Sequence, residues 1–330
     1  MGMRAVWYEK AGKAGAVLIA GDMPDPEPGP GEVRVRVAVS AVNPTDVKRR
    51  REGRELGRFP RIVPNNDGAG TIDRVGPGVP EVRLGERVWI FGAQAGRPFG
   101  TAAAYTVVPA RQAIPLPATA SFDDGACLGV PAVTAHYGLF ADGPLTGKIV
   151  LITGGAGRVG AYAVQFAKRA GATVIATVGS ADKAEAVRGL GADHVLNYRT
   201  DDIASSIQRL TGGQGVDRIV EVAFGTNIAL APKIMKTNGV IATYASDAAP
   251  EPALPFYPLM FNNVTIRPFI IYALPHTAQD RAFVEITAAL KEGALRHRIA
   301  ARFPLARLAE AHDAIESGVA VGCVLVDVAA

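Results

Sequence analysis

Cysteine is nearly missing from this chain: Cys127 and Cys323 are the only two in 330 residues. Two thiols so far apart in sequence cannot build a disulfide framework, and their apolar neighbours place both in a core kept reduced, as in the cytoplasm. A surplus of one charge is lacking too. The 35 basic residues face 31 acidic ones, and a net charge of +4 gives no compositional argument for a nucleic-acid partner. No apolar run reaches the roughly 20 residues needed to cross a bilayer, and the strand-like opening at 4–8 has no signal-peptide core, so a soluble, cytoplasmic protein without a membrane partner is expected. What the chain does have is 48% apolar residues, enough for a large core, and a length that suggests two domains. One local cluster is basic: Lys48, Arg49, Arg50, Arg51, Arg54, Arg58 and Arg61. A solvated loop and an anion-handling surface are both open readings of it.

Residues 148–180 carry the most information. An apolar strand at 149–152 runs into Gly154, Gly155, Ala156, Gly157, Arg158, Val159 and Gly160, in which Gly155, Gly157 and Gly160 have the GxGxxG spacing. The first glycine is read as permitting the tight turn, the second as letting a pyrophosphate approach the backbone, and the third as bringing the helix close to its strand. The phosphates then meet the helix N-terminus, where unpaired N–H groups and the dipole favour an anion. Ala161, Val164, Phe166, Ala167 and Ala170 form the helix's apolar stripe, Gly171 closes it, and 173–178 is the next strand.

The pattern changes along the chain. Valines 33, 35, 37 and 39 alternate with other residues, and short β-rich runs at 88–91 and 105–108 are separated by Pro- and Gly-rich turns, which reads as an irregular β domain. Helical periodicity starts after Ser121, with Asp124 completing a capping box. Strand-like runs then recur at Ile149, Thr173, His194, Arg218, Val240 and Val264, the sequence form of a doubly wound parallel sheet of six strands. Helices near 279–292 and 305–316 and a strand at 324–328 are assigned back to the first domain. The expected domains are 1–122 with 269–330, and 123–268.

Four segments, AVNPTD at 41–46, DGAGTIDRVGPGV at 67–79, VPAVTAHYGLF at 130–140, and the fingerprint together with GADHVLNY at 191–198, resemble the medium-chain dehydrogenase/reductase superfamily. Within it they are most similar to the zinc-independent quinone oxidoreductases, the zeta-crystallin-like branch. The resemblance implies an α/β fold, with a six-stranded Rossmann domain inserted into a GroES-like β-barrel catalytic domain. It also implies a homodimer pairing edge strands around 264–271. Zinc-dependent relatives carry cysteine where this chain has Asn43 and a His-Glu pair where it has Asn66 and Asp67, so no zinc is expected: amides are poor substitutes for thiolate and imidazole. Without a Lewis acid, alcohol oxidation loses its usual mechanism and electron-poor acceptors are favoured.

The expectation is an NADPH-dependent quinone reductase, whose work is positioning. By resemblance Asn43 and Asp46 line the wall beside the nicotinamide and Thr134 lies near its ring or ribose; an Asp in an NP turn is also a routine loop former. Lys48 or Arg50 would polarise the quinone oxygen, or both would face solvent. At the end of the strand 173–178, Gly179 and Ser180 stand where NAD-preferring folds place a carboxylate. Ser180 and Lys183 therefore suit a 2′-phosphate, and Tyr198 matches a tyrosine that the family places near it. By resemblance alone Tyr244, Ala245, Ser246 and Arg267 approach the nicotinamide half. An enoyl or alkenal reductase is the alternative enzyme. A crystallin-like or RNA-binding protein is the alternative of another class, resting only on the basic cluster, which lacks interleaved aromatics beyond Phe59.

Overall fold

The computed structural model describes residues 2–328. The chain divides into two compact units, one made of residues up to Val130 with those from Phe283 onward, the other of Pro131–Ala282. In chain order the first unit begins with β1 (Gly2–Trp7), α1 (Ala14–Val17), β2 (Ile19–Pro24), β3 (Glu32–Val42), α2 (Pro44–Glu52), β4 (Asp67–Val75), β5 (Arg87–Ile90), β6 (Tyr105–Pro109), β7 (Ala113–Pro115) and α3 (Phe122–Ala126). Helix α4 (Gly129–Phe140) carries the chain into the second unit. There follow β8 (Ile149–Ile152), α5 (Arg158–Arg169), β9 (Thr173–Val178), α6 (Ala181–Gly189), β10 (His194–Asn197), α7 (Ile203–Leu210) and β11 (Val216–Glu221). Next come α8 (Phe224–Asn227), α9 (Ala231–Ile234), β12 (Met235–Thr243), α10 (Phe256–Phe261), β13 (Thr265–Pro268) and α11 (His276–Lys291), which leads back to β14 (Ile299–Pro304), α12 (Leu308–Glu316) and β15 (Cys323–Asp327).

In the second unit six parallel strands form one sheet in the order β10-β9-β8-β11-β12-β13, the doubly wound arrangement read from the sequence. The order reverses between β8 and β11, and a ligand crevice lies outside the carboxyl ends of the strands at such a point. Leu151, Ile175, Ile219 and Ile241 fill the core on one face against Ile207 of α7. The first unit is GroES-like and built on β3. One edge of β3 pairs with β4; the other is shared by β6 at residues 32–36 and β15 at 39–42. Its alternating valines do what alternation predicts: Val33, Val35 and Val37 are buried in a core with Ile72, Val88, Ile90, Val324 and Val326.

Several elements depart from the sequence reading, which assigned no strand to β2, β4 or β7; two further departures have clear local causes. The basic stretch after Asn43 is a helix, α2, opened by Pro44 at its first position and closed by Gly53 at φ 64°. Strand β14 was missed because its outer positions are exposed and its sequence, IAARFP, shows no apolar alternation.

Candidate functional site

The glycine turn follows buried β8. Its left-handed residue is Gly154 (φ 63°), so the tight turn assigned to Gly155 belongs one position earlier. Gly155 instead permits close packing: a methyl on it would lie 2.9 Å from Ala176 Cβ of β9. Gly160 faces the turn's own backbone, where a methyl would meet the Gly154 carbonyl oxygen at 2.3 Å. Gly157 differs from both. It caps α5, and a methyl there would meet nothing but the Gly154 oxygen, at 3.1 Å. Packing therefore explains the bare backbone at 155 and 160 but not at 157. Arg158, Val159 and Gly160 form the first turn of α5, whose positive dipole end is directed into the turn.

At the end of β9, Ser180 caps α6, its hydroxyl oxygen accepting from the Lys183 N–H at 3.4 Å. Tyr198 donates its own N–H to the Val178 carbonyl at 3.0 Å, which laces the β10 turn to β9. A methyl on Gly179 would lie 2.5 Å from the Tyr198 hydroxyl oxygen. The structure thus gathers Gly179, Ser180, Lys183 and Tyr198 at one strand end, with Asp182 exposed beside them.

Next to the turn is a cavity of about 440 Å³. Thr153, Thr177, Tyr198 and Asn227 give its lining polar groups, and Leu151, Ile219, Ile241, Val222 and Phe224 are among its apolar lining. Glu221, which the sequence reading missed, also lines it. Its carboxylate accepts from Thr153 Oγ1 (2.8 Å), the Ala223 N–H (2.5 Å) and Asn227 Nδ2 (3.1 Å), while burial raises its pKa above the usual carboxylate value. Ser246 braces the loop beyond, accepting from the Gly225 N–H at 2.9 Å and donating to the Ala249 carbonyl, and the Ala245 carbonyl accepts from the Phe224 N–H. Tyr244 is half-buried against Phe269, and Thr134 is buried on α4. Arg267, expected to approach the cofactor, instead pairs with Asp142, which also takes Arg218 at 2.8 Å.

The first unit holds a second, buried polar cluster. Asp46 reaches back with Oδ2 to the Asn43 N–H at 2.7 Å and accepts from Asn66 Nδ2 on Oδ1 at 2.6 Å. Both its oxygens are occupied, so Asp46 acts as a helix cap and a brace. Asn43 Nδ2 donates to Asp67 Oδ2 at 2.7 Å, and the same oxygen accepts the Val130 N–H at 2.7 Å, setting the carboxylate on the N-terminus of α4. Gly129 makes this approach possible: a methyl there would lie 2.0 Å from Asp67 Oδ1.

A directed hydrogen-bond chain supports the cluster from below. Thr101 Oγ1 donates to the Asp67 carbonyl at 2.6 Å, so at 2.7 Å Ser40 donates to Thr101, and at 3.0 Å it accepts from Asn65 Nδ2. With its amide nitrogen donating to Ser40, the Asn65 side-chain oxygen Oδ1 accepts from His312 Nε2 at 3.1 Å, which fixes that tautomer. Asn65 is held at φ 76°, a conformation that costs a non-glycine residue and that these bonds impose.

The basic cluster is largely neutralised. Arg50, expected near substrate, is fully buried, donating to Glu316 at 2.8 Å and to the Gly12 carbonyl. Arg49 pairs with Glu55, Arg51 with Glu316, Arg54 with Glu52 and Arg61 with Glu9. Lys48 is half-buried on α2.

Residues 29–118 match the alcohol dehydrogenase GroES-like domain family and residues 159–287 the zinc-binding dehydrogenase family. A 2-haloacrylate reductase of Burkholderia sp is 31% identical over 278 residues, covering 81% of each chain. The chain belongs to the medium-chain dehydrogenase/reductase superfamily. Similarity to the quinone oxidoreductase of Rattus norvegicus is 27% over 316 residues, covering 95% of this chain and 94% of that one. Among solved structures, an NAD-dependent alcohol dehydrogenase (30% identity, TM-score 0.90) covers 99% of this chain and 100% of its own. A mycobacterial relative complexed with NADPH (28% identity, TM-score 0.85) covers 98% of this chain and 99% of its own. This dehydrogenase/reductase is an oxidoreductase of small molecules that uses a nicotinamide cofactor, and the open face of Gly157 fits the dinucleotide's pyrophosphate.

Zinc fits poorly. Where zinc-dependent members supply thiolate, imidazole and carboxylate, this one offers the Asn43 and Asn66 amides and an Asp67 oxygen already accepting two hydrogen bonds.

Proposed function

We propose that the protein is an NADPH-dependent, metal-independent reductase of quinones. The observation that carries this is the donor set around Asp67, whose amides and occupied carboxylate leave no Lewis-acid centre for alcohol oxidation. Similarity to quinone oxidoreductases over nearly the whole chain supports the acceptor class. NADPH, when bound, supplies the hydride. The protein's share is positioning: Gly157 and the start of α5 take the pyrophosphate, Ser180, Lys183 and Tyr198 the 2′-phosphate, and Asn43 meets the acceptor. Asp46 holds Asn43 in place, and Arg50 has a structural role, tying α2 to Glu316 of α12.

A second reading is an activated-alkene reductase, favoured by the 2-haloacrylate reductase relative. That chemistry needs a proton delivered beside the activating group. A screen of NADPH oxidation against ortho-quinones, para-quinones, enals and 2-haloacrylates separates the two. Quinone turnover is expected; turnover of alkenes alone would promote the second reading.

The RNA-binding alternative loses its support, because most arginines of the basic cluster are paired with carboxylates. A homodimer formed through the free edge of β13 is also proposed, since β13 ends the sheet and the neighbouring α10 exposes Phe256, Tyr257 and Phe261.

A further inference from the structure

The turn after β10 brings a second cation, Arg199, to the end of β9 beside Gly179. Asn197 organises it: its N–H donates to Asp201 Oδ2 at 2.8 Å, its carbonyl accepts from the Thr200 and Asp201 N–H groups, and its Oδ1 accepts from the Arg199 N–H at 3.1 Å. The Tyr198 bond to Val178 then fixes the turn against β9. As a result the Arg199 side chain folds back over the end of β9, where a methyl on Gly179 would lie 3.4 Å from its Nε and 2.5 Å from the Tyr198 hydroxyl oxygen.

The neighbouring carboxylates are turned elsewhere. Asp201 binds Asn197 and Thr200, and Asp202 binds Ser205. Arg199 itself is exposed and makes no ion pair among the described residues. A guanidinium beside a glycine and a tyrosine hydroxyl, with Ser180 and Lys183 across the strand end, is the kind of donor with which arginine grips phosphate.

We infer that Arg199 is a specificity-determining residue that grips the 2′-phosphate of NADPH opposite Lys183. The inference rests on the NADPH reading of this strand end. Position 179 is glycine at a backbone conformation open to any residue because a side chain there would displace the Tyr198 ring that stands beside Arg199.

The test is fluorescence titration of NADPH and NADH into wild type, Arg199→Ala and Arg199→Lys, with thermal melting as a check on folding. Wild type should prefer NADPH. Arg199→Ala should weaken NADPH about tenfold or more and leave NADH within about twofold, the size expected for one charge-assisted hydrogen bond. Arg199→Lys should recover part of the loss. If wild type prefers NADPH and Arg199→Ala keeps the same ratio of affinities, the inference is wrong and the NADPH reading stands. Equal weakening of both cofactors also overturns it, by assigning Arg199 to the fold or to the adenosine shared by both. A wild type that does not prefer NADPH overturns the inference and the reading together.

Discussion

Gly157 is the glycine of the turn whose missing side chain no packing partner explains. Gly157→Val should therefore fold, since its first carbon meets a single oxygen at 3.1 Å, yet lose NADPH binding by more than about tenfold as the branched side chain fills the pyrophosphate's place. Gly160→Val should behave in the opposite way. Its 2.3 Å encounter with the Gly154 oxygen forces the backbone apart and lowers stability by at least about 1–3 kcal/mol. Melting curves and cofactor titrations on the two variants read both effects. Lys183→Ala should raise the NADPH Michaelis constant about ten- to a hundredfold with NADH little changed; equal effects on both cofactors would assign Lys183 to the fold. At this scale the sequence was legible where spacing alone sets geometry, as in the Ser121 capping box and the glycine turn after β8, although the tight-turn role read for Gly155 falls on Gly154. Gly129 and Glu221 were not legible, because their importance comes from partners distant in sequence, Asp67 over Gly129 and Thr153 beside Glu221, and Gly154 was not, because the spacing does not say which glycine takes the left-handed conformation.

Helix α12 contributes His312 to the interior of the first unit, where the imidazole is fully buried, its Nδ1 has no hydrogen-bond partner among the described residues, and burial together with the Arg50 charge lowers its pKa to about 3. The unfolded chain binds a proton at this residue near its ordinary pKa of about 6.5, so between there and about pH 3 the unfolded state holds a proton that the native state does not. Stability falls with pH across that window, by up to about 1.4 kcal/mol per unit from this group. His312→Gln keeps a donor for Asn65 and removes the titration. Unfolding free energies from denaturant titrations should then drop more between pH 7 and 4.5 in wild type than in the variant, by about 2–3 kcal/mol; equal drops would mean that His312 is not the group being charged. Element identity followed local signals, and where those were weak it failed. The Asn-Pro-x-Asp start and Gly53 stop of α2 were present in the sequence but were outweighed by its run of arginines, two of which are buried by pairing with Glu55 and Glu316.

For the whole molecule, the six-strand doubly wound sheet follows from strand-like runs recurring along the chain, which is why it was legible; the β character of the first unit was legible too, but its GroES-like form came from the family resemblance. Oligomeric state and acceptor are properties of surfaces, and local patterns do not encode them. If β13 pairs across a two-fold axis, sedimentation should give a dimer, and a proline at Ile266, which removes a backbone donor from that strand, should shift it toward monomer; a wild-type monomer would contradict this. Acceptor choice depends on whether a metal takes part. The most direct test is to measure the zinc content of the purified protein and its NADPH oxidation with a small para-quinone, before and after exhaustive chelation, with simple alcohols plus NADP in parallel. The account predicts no stoichiometric zinc, quinone turnover unchanged by chelator, and little alcohol oxidation. About one zinc per chain, with activity lost on its removal or alcohol oxidation dominant, would contradict it.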